Sequence, residues 1–192
     1  MNEIIEKIAY CIEFGKINSA SPYPPDLRGQ EGADELTKKA LESGIAPSTI
    51  LNEGMIAAMN KVGKKFSENK IFVPQMLLAA KAMSTAMQHI KPYFKSGTVK
   101  FKGKFVLGTV AGDLHDIGKN LVAMMIEGAG WEVIDLGVDV SAEKFVQAIN
   151  ANPGCAVGLS ALLTTTMVNM EKIVHEIRNN YSDIKILTGG AP

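Results

Sequence analysis

Apolar residues follow two different rhythms along the chain. Up to about residue 94 they recur at helical spacing. Ile4, Ile5, Ile8 and Ile12 make one stripe, and Leu36, Ala40 and Leu41 suggest a second helix that Gly44 closes. Leu51, Met55, Ala58, Val62 and Phe66 form a third stripe. Pro74 suits the first turn of a fourth helix, on which Met76, Met83, Met87 and Ile90 share a face. Four helices with short links predict an antiparallel bundle. The Pro- and Ser-rich stretch NSASPYPPDLRGQ interrupts it as a loop, and the polar residues 95–103, KSGTVKFKG, read as a linker.

Beyond the linker the period shortens. Residues 104–110, KFVLGTV, form a short apolar run of the kind buried on both faces of a sheet. Strands are expected at 104–110, 131–136, 156–160 and 184–187, and helices at 117–128, 141–150 and 166–180, with Ser141 as a cap. Strands alternating with helices predict a doubly wound parallel sheet of the flavodoxin-like or Rossmann-like kind. Its ligands bind beyond the carboxyl ends of the strands. The expected organisation is therefore a helical cap domain at 1–94, a linker at 95–103 and an α/β domain at 104–192. A domain of this type usually adds a fifth strand and a closing helix, so the fold reads as truncated after the fourth strand.

Composition narrows the function classes. Twenty basic residues balance twenty acidic ones, so no net field points to nucleic acid or to an anionic membrane. The two cysteines, Cys11 and Cys155, lie far apart and read as small core fillers of a reduced protein. The N-terminus lacks the unbroken apolar stretch of a signal peptide, and no apolar run is long enough to span a bilayer. A cytoplasmic location follows as an expectation, with neither nucleic acid nor membrane as a partner.

The loop after the first strand, AGDLHDIGKN, holds the most pointed chemistry. A metal-binding imidazole commonly donates its second ring N–H to a carboxylate, which fixes its tautomer. Asp113, two residues from His115, is placed for that role. Alone, the motif reads more readily as an ordinary loop histidine beside a helix cap. Two more loops fall at the same end of the sheet, GLSALLTTT at 158–166 and TGGAP at 188–192. Each alone is ordinary turn chemistry. His89 and His175 lie in helices and read as surface or packing residues.

Together the three loops carry more. Asp113-x-His115-x-x-Gly118 is followed after 41 residues by Ser160-x-Leu162, and after 26 more by Gly189-Gly190. That order and spacing resemble the signature of the cobalamin-binding domain. The family includes methionine synthase, adenosylcobalamin mutases and the corrinoid proteins of methyltransferase systems. The resemblance implies a bound cobalamin or related corrinoid, with His115 as the lower axial ligand to cobalt and Asp113 as its hydrogen-bond partner. It implies that Thr166, a threonine where the methionine synthase type has serine, continues the relay. Ser160 would bond the buried base, and Gly189 and Gly190 would let the backbone approach the nucleotide tail. Leu114, Asp116, Ile117, Gly118, Leu162 and Thr164 complete the expected cofactor contacts.

The first half resembles the family too. FSENKIFVPQML at 66–77 looks like the helical cap of methyl-carrying members, which implies that Phe66, Val73 and Met76 cover the upper face of the corrin. This cap favours methyl transfer over radical isomerisation. The implied function is to carry a methyl group on cobalt between a substrate-specific methyltransferase and an acceptor methyltransferase of the tetrahydrofolate or thiol type. A reductive activation protein is a further partner in reach. The protein has no catalytic residue of its own in this reading. A cobalamin-sensing regulator is the alternative, but neither a helix-turn-helix nor a basic stripe stands in the sequence. The Pro-rich stretch Ser19–Gln30 departs from the family by its length.

Overall fold

In the computed structural model, residues 2–190 are described. They fall into two compact units, one made mainly of the residues up to Lys100 and the other mainly of those from Phe101 onward.

The first unit is helical. Helix α1 spans Glu3–Glu13, α2 Ala33–Glu42, α4 Ala57–Ser67 and α5 Val73–Lys95. Most residues of the stripes predicted from the sequence form its core: Ile5, Ile8, Ile12, Leu36, Ala40, Met55, Val62, Met83 and Ile90 are buried, whereas Ile4, Leu41 and Met87 are partly buried and Phe66 is exposed. Gly44 follows α2 at φ 78°, and the N–H of Ile45 closes the helix end on Ala40 O at 3.1 Å. The third stripe differs from expectation. A short helical turn α3, Pro47–Thr49, leads into a wide π-type segment, Ile50–Ile56, before α4 begins. Widening the turn brings Ile50, Leu51, Gly54, Met55 and Ile56 all inward, which one α-helical stripe does not do. The Ser19–Gln30 loop is pinned at its base. Lys16, fully buried, donates to Ser21 O at 2.9 Å, and Glu35 accepts from the N–H and hydroxyl of Ser19. His89 contacts Asp34 at 2.6 Å across α5 and α2, while His175 of the second unit is exposed.

The second unit is a four-stranded, wholly parallel sheet among the described residues, in the order β2-β1-β3-β4. The strands are β1 Lys104–Thr109, β2 Glu132–Asp135, β3 Ala156–Ala161 and β4 Ile186–Gly190. The helices are α6 Ile117–Gly128, α7 Ala142–Ala151 and α8 Thr164–Asn180. Ser141 caps α7, its hydroxyl accepting from Lys144 N–H at 3.4 Å. Alternate β1 residues feed two cores. Val106 and Val110 join Phe145, Ile149, Val157, Leu159, Ile173 and Ile177 on the face under α7 and α8. Phe105 and Leu107 pack with Ala123 and Ile126 of α6 on the other. Helix α8 starts two residues before the sequence suggested, so Thr164 and Thr166 stand in its first turn. Cys11 and Cys155 are free and buried. No helix among the described residues is long and apolar enough to cross a membrane.

Candidate functional site

The carboxyl ends of β1 and β3 converge on one buried carboxylate. After β1 the chain turns through Gly112, at φ 82°, and drops Asp113 into the interior with no exposed surface. Five donors meet its two oxygens. Oδ1 accepts from the backbone N–H of His115 at 3.0 Å and from His115 Nδ1 at 2.8 Å. Oδ2 accepts from the N–H groups of Leu162 and Leu163, at 2.8 and 3.3 Å, and from the Thr166 hydroxyl at 2.7 Å. Burial alone would push the Asp113 carboxyl up. The hydrogen bonds from Thr166, His115 N–H, Leu162 N–H and the His115 ring outweigh it and hold the group well below the usual carboxylate range. An anion saturated in this way has no proton to give and obliges His115 Nδ1 to be the donor.

The tautomer follows. With the proton on Nδ1, the lone pair of His115 sits on Nε2, which meets no hydrogen-bond partner among the described residues. The side chain is half exposed. The loop around it is held at several points. Thr109 donates to His115 O at 3.0 Å, Asn169 to Ala111 O at 2.9 Å, and Gly112 N–H to Asp139 Oδ1 at 2.7 Å.

The remaining predicted residues take varied places. Leu114 and Ile117 flank His115 and are 72% and 79% exposed, so two large apolar side chains stand in solvent beside the imidazole. Asp116 accepts from Asn120 at 3.0 Å, and Gly118 lies in the first turn of α6. Leu162 and Thr164 are exposed at the end of β3 and the start of α8. Thr109, Ser160 and Gly189 stand in register across β1, β3 and β4. The Ser160 hydroxyl, half buried, has no partner among the described residues. The two glycines differ. A Cβ on Gly189 would meet nothing within 4 Å, whereas one on Gly190 (φ 122°) would lie 2.1 Å from Ala161 O. Gly189 leaves space over the sheet end, and Gly190 is required by the backbone itself. In the helical unit Phe66 and Val73 are exposed, together with Phe72 and Leu77, at the end of α4 and the start of α5. Met76 instead lies in the bundle core at 4% exposure.

Sequence reasoning missed Thr109, Asp139 and Asn169, which grip the loop, and the buried Lys119. Thr109 ends an apolar strand, where a polar residue is the available clue. Asp139 and Asn169 come from distant segments and leave no local trace.

An imidazole tied at Nδ1 and open at Nε2 has the form of a histidine that can offer its free nitrogen to a metal. No group of three or more His, Cys, Asp or Glu able to hold a bare ion occurs among the described residues. His115 thus stands as a single nitrogen donor at the sheet end. Beside it stand apolar side chains, an unpartnered hydroxyl and open space over Gly189, which a large, partly apolar cofactor can fill. The site lies at the carboxyl end of a parallel sheet, where such folds bind their ligands.

Comparison with known proteins agrees. Two family models, both described as B12 binding domain, match residues 103–192 and 29–91. Trimethylamine corrinoid protein 1 of Methanosarcina acetivorans is 39% identical over 167 residues, 85% of this chain and 77% of that protein. Dimethylamine corrinoid protein 3 of the same organism is 36% identical over 160 residues, 82% of this chain and 75% of that one. Among solved structures, the methanol:cobalamin methyltransferase complex MtaBC of Methanosarcina barkeri matches with a TM-score of 0.81 and 30% identity, covering 98% of this chain and 68% of the other. The chain belongs to the corrinoid-binding proteins of methyltransferase systems, and its cofactor is a corrinoid.

Proposed function

We propose that this protein carries a methyl group on the cobalt of its corrinoid, with His115 as the protein ligand to the metal. The observation that carries the reading is the buried relay Thr166–Asp113–His115, which fixes the imidazole with Nε2 outward. The bound corrinoid supplies a cobalt centre able to accept a methyl group and to release it. The protein's own residues do the rest. Asp113 keeps His115 in the tautomer that can ligate, and Thr166 keeps Asp113 oriented. Ser160 and Gly189 line the place for the nucleotide tail, with Gly190 shaping the strand end beside it. Leu114, Ile117 and Leu162 give the macrocycle apolar contact. In the helical unit, the exposed Phe66 and Val73 offer an apolar cover for the cofactor, and Met76 supports them from the core.

The partners follow from the relatives. A substrate-specific methyltransferase loads the methyl group, and an acceptor methyltransferase of the tetrahydrofolate or thiol type removes it. The names of the relatives point to a methylamine or methanol as donor. The chain works without a catalytic residue of its own, in the cytoplasm. The test is the absorbance spectrum of the corrinoid-loaded protein against His115→Ala. The imidazole-ligated spectrum should give way to that of a water-ligated corrinoid. An unchanged spectrum would remove His115 from the metal.

A further inference from the structure

A second polar cluster stands on the other side of the His115 loop, at the carboxyl end of β2. Lys119, in the first turn of α6, is 3% exposed. A buried ammonium is rare unless it is paired. Its Nζ donates to Asp135 Oδ2 at 2.5 Å and to Asn120 Oδ1 at 2.7 Å. Two paths lead from these partners to His115. Along the first, Asp135 Oδ1 accepts from Gly137 N–H at 2.9 Å. Gly137 O accepts from Thr109 N–H at 2.9 Å, and the Thr109 hydroxyl donates to His115 O at 3.0 Å. Along the second, Asn120 Nδ2 donates to Asp116 Oδ2 at 3.0 Å, one residue beyond His115. Asn120 N–H also donates to Asp116 O at 2.8 Å, the first hydrogen bond of the α6 turn.

We infer that the Lys119–Asp135 pair is a positioning device for the axial ligand, setting where the His115 backbone stands while Asp113 sets how its ring is turned. The two clamps act on different atoms. Asp113 grips the His115 N–H and ring from the β3 side, whereas Lys119 and Asp135 fix the His115 carbonyl and the start of α6 from the β2 side. A ring with the correct tautomer but a displaced backbone would leave Nε2 short of its metal. Lys119 is buried and its Nζ is taken up by Asp135 and Asn120, so its effect passes through the loop. The inference rests on His115 being the ligand.

The test uses the corrinoid-loaded protein with cobalt in the divalent state. Electron paramagnetic resonance there reports the axial nitrogen as a splitting, and the splitting is normalised to the corrinoid bound. Wild type should show the nitrogen and His115→Ala should not. Lys119→Met keeps the length of the side chain but loses the charge. It should bind corrinoid while its histidine-bound to histidine-free ratio falls by about tenfold, the size of effect typical of groups that orient a metal ligand. Lys119→Arg, which keeps the cation, should restore most of it. Should Lys119→Met fail to fold, Lys119→Met combined with Asp135→Leu removes both charges and is read in the same way. A wild-type ratio in a folded variant lacking the Lys119 charge overturns the inference while leaving the ligand intact. Nitrogen splitting retained in His115→Ala overturns the ligand reading, and this inference with it.

Discussion

In the α/β unit, the buried polar side chains Thr109, Asp113, Lys119 and Thr166 all gather around one loop. In the helical unit the buried polar residues are Lys16 and Thr37, and they serve no common site. Lys16 ties down a surface loop through Ser21 O, and Thr37 Oγ1 has no partner among the described residues. Burying a polar group costs free energy unless its hydrogen bonds are made. The α/β unit concentrates that cost around the His115 loop. The helical unit places exposed apolar side chains, Phe66, Phe72, Val73 and Leu77, on a packed bundle instead. Buried, oriented polar groups and exposed apolar side chains are thus divided between units of different architecture.

The sharpest way to break this contrast is Asp113→Ala. It would leave the Leu162, Leu163 and His115 N–H groups without their acceptor, while the Thr166 hydroxyl would turn to Leu163 O. The α/β unit should lose about 3 to 5 kcal/mol, since each stranded donor costs about 1–3 kcal/mol and partial relaxation recovers some of it. The only tryptophan, Trp131, lies in that unit, so its fluorescence during urea unfolding of the cofactor-free protein follows the loss. A loss under 1 kcal/mol would mean that the five hydrogen bonds are not formed in solution.

The same carboxylate predicts an acid response. Its folded pKa is depressed, so its contribution is complete above the unfolded value, about 4 for an aspartate, and is lost as pH falls through the lower folded value. Wild type should therefore lose Trp131-reported stability progressively below about pH 4. In Asp113→Asn that part of the slope should be absent. Equal slopes in the two proteins would locate the acid sensitivity elsewhere.

Next in size is a pair of neighbours. Gly190→Ala forces a Cβ to within 2.1 Å of Ala161 O at a φ of 122°, so it should cost about 2 kcal/mol or more of α/β-unit stability. Gly189→Ala meets open space and should change the stability of the cofactor-free protein by less than about 0.5 kcal/mol. It should nonetheless weaken corrinoid binding, measured by titration with the free cofactor. Should both variants lose equal stability, Gly189 is a fold residue rather than a cradle.

Period alone made much of this architecture legible. The run at 104–110 announced a doubly buried strand because β1 is apolar on both faces, and the stripe Ile5, Ile8, Ile12 announced α1 because only one face of it is buried. The π-type widening at Ile50–Ile56 was not legible, since it changes which neighbours share a face without changing residue types. The site divides in the same way. Asp113 and His115 are two residues apart, so their partnership is local. Thr166, at 53 residues from Asp113, could be proposed only through a family resemblance, and the structure then shows its hydroxyl on the Asp113 oxygen. The Lys119–Asp135 pair had neither aid. A lysine early in a helix reads as exposed until the end of β2 is seen to cover it.

The smallest effect tests the helical side of the contrast. Thr37, in α2, is fully buried and its hydroxyl is unsatisfied among the described residues. Valine has nearly the same shape and a similar helix propensity, so Thr37→Val removes a stranded polar group and leaves the packing in place. The bundle should gain about 1 kcal/mol, read from its helical circular dichroism during thermal unfolding. The same exchange at Thr166, where the hydroxyl donates to Asp113 and has Leu163 O as a second acceptor in reach, should destabilise the α/β unit by about 1–3 kcal/mol. Opposite signs for one chemical change would show that buried hydroxyls are incidental in the bundle and structural beside His115. A loss at Thr37 as well would mean that a water molecule completes its hydrogen bond, and the contrast between the units would weaken accordingly.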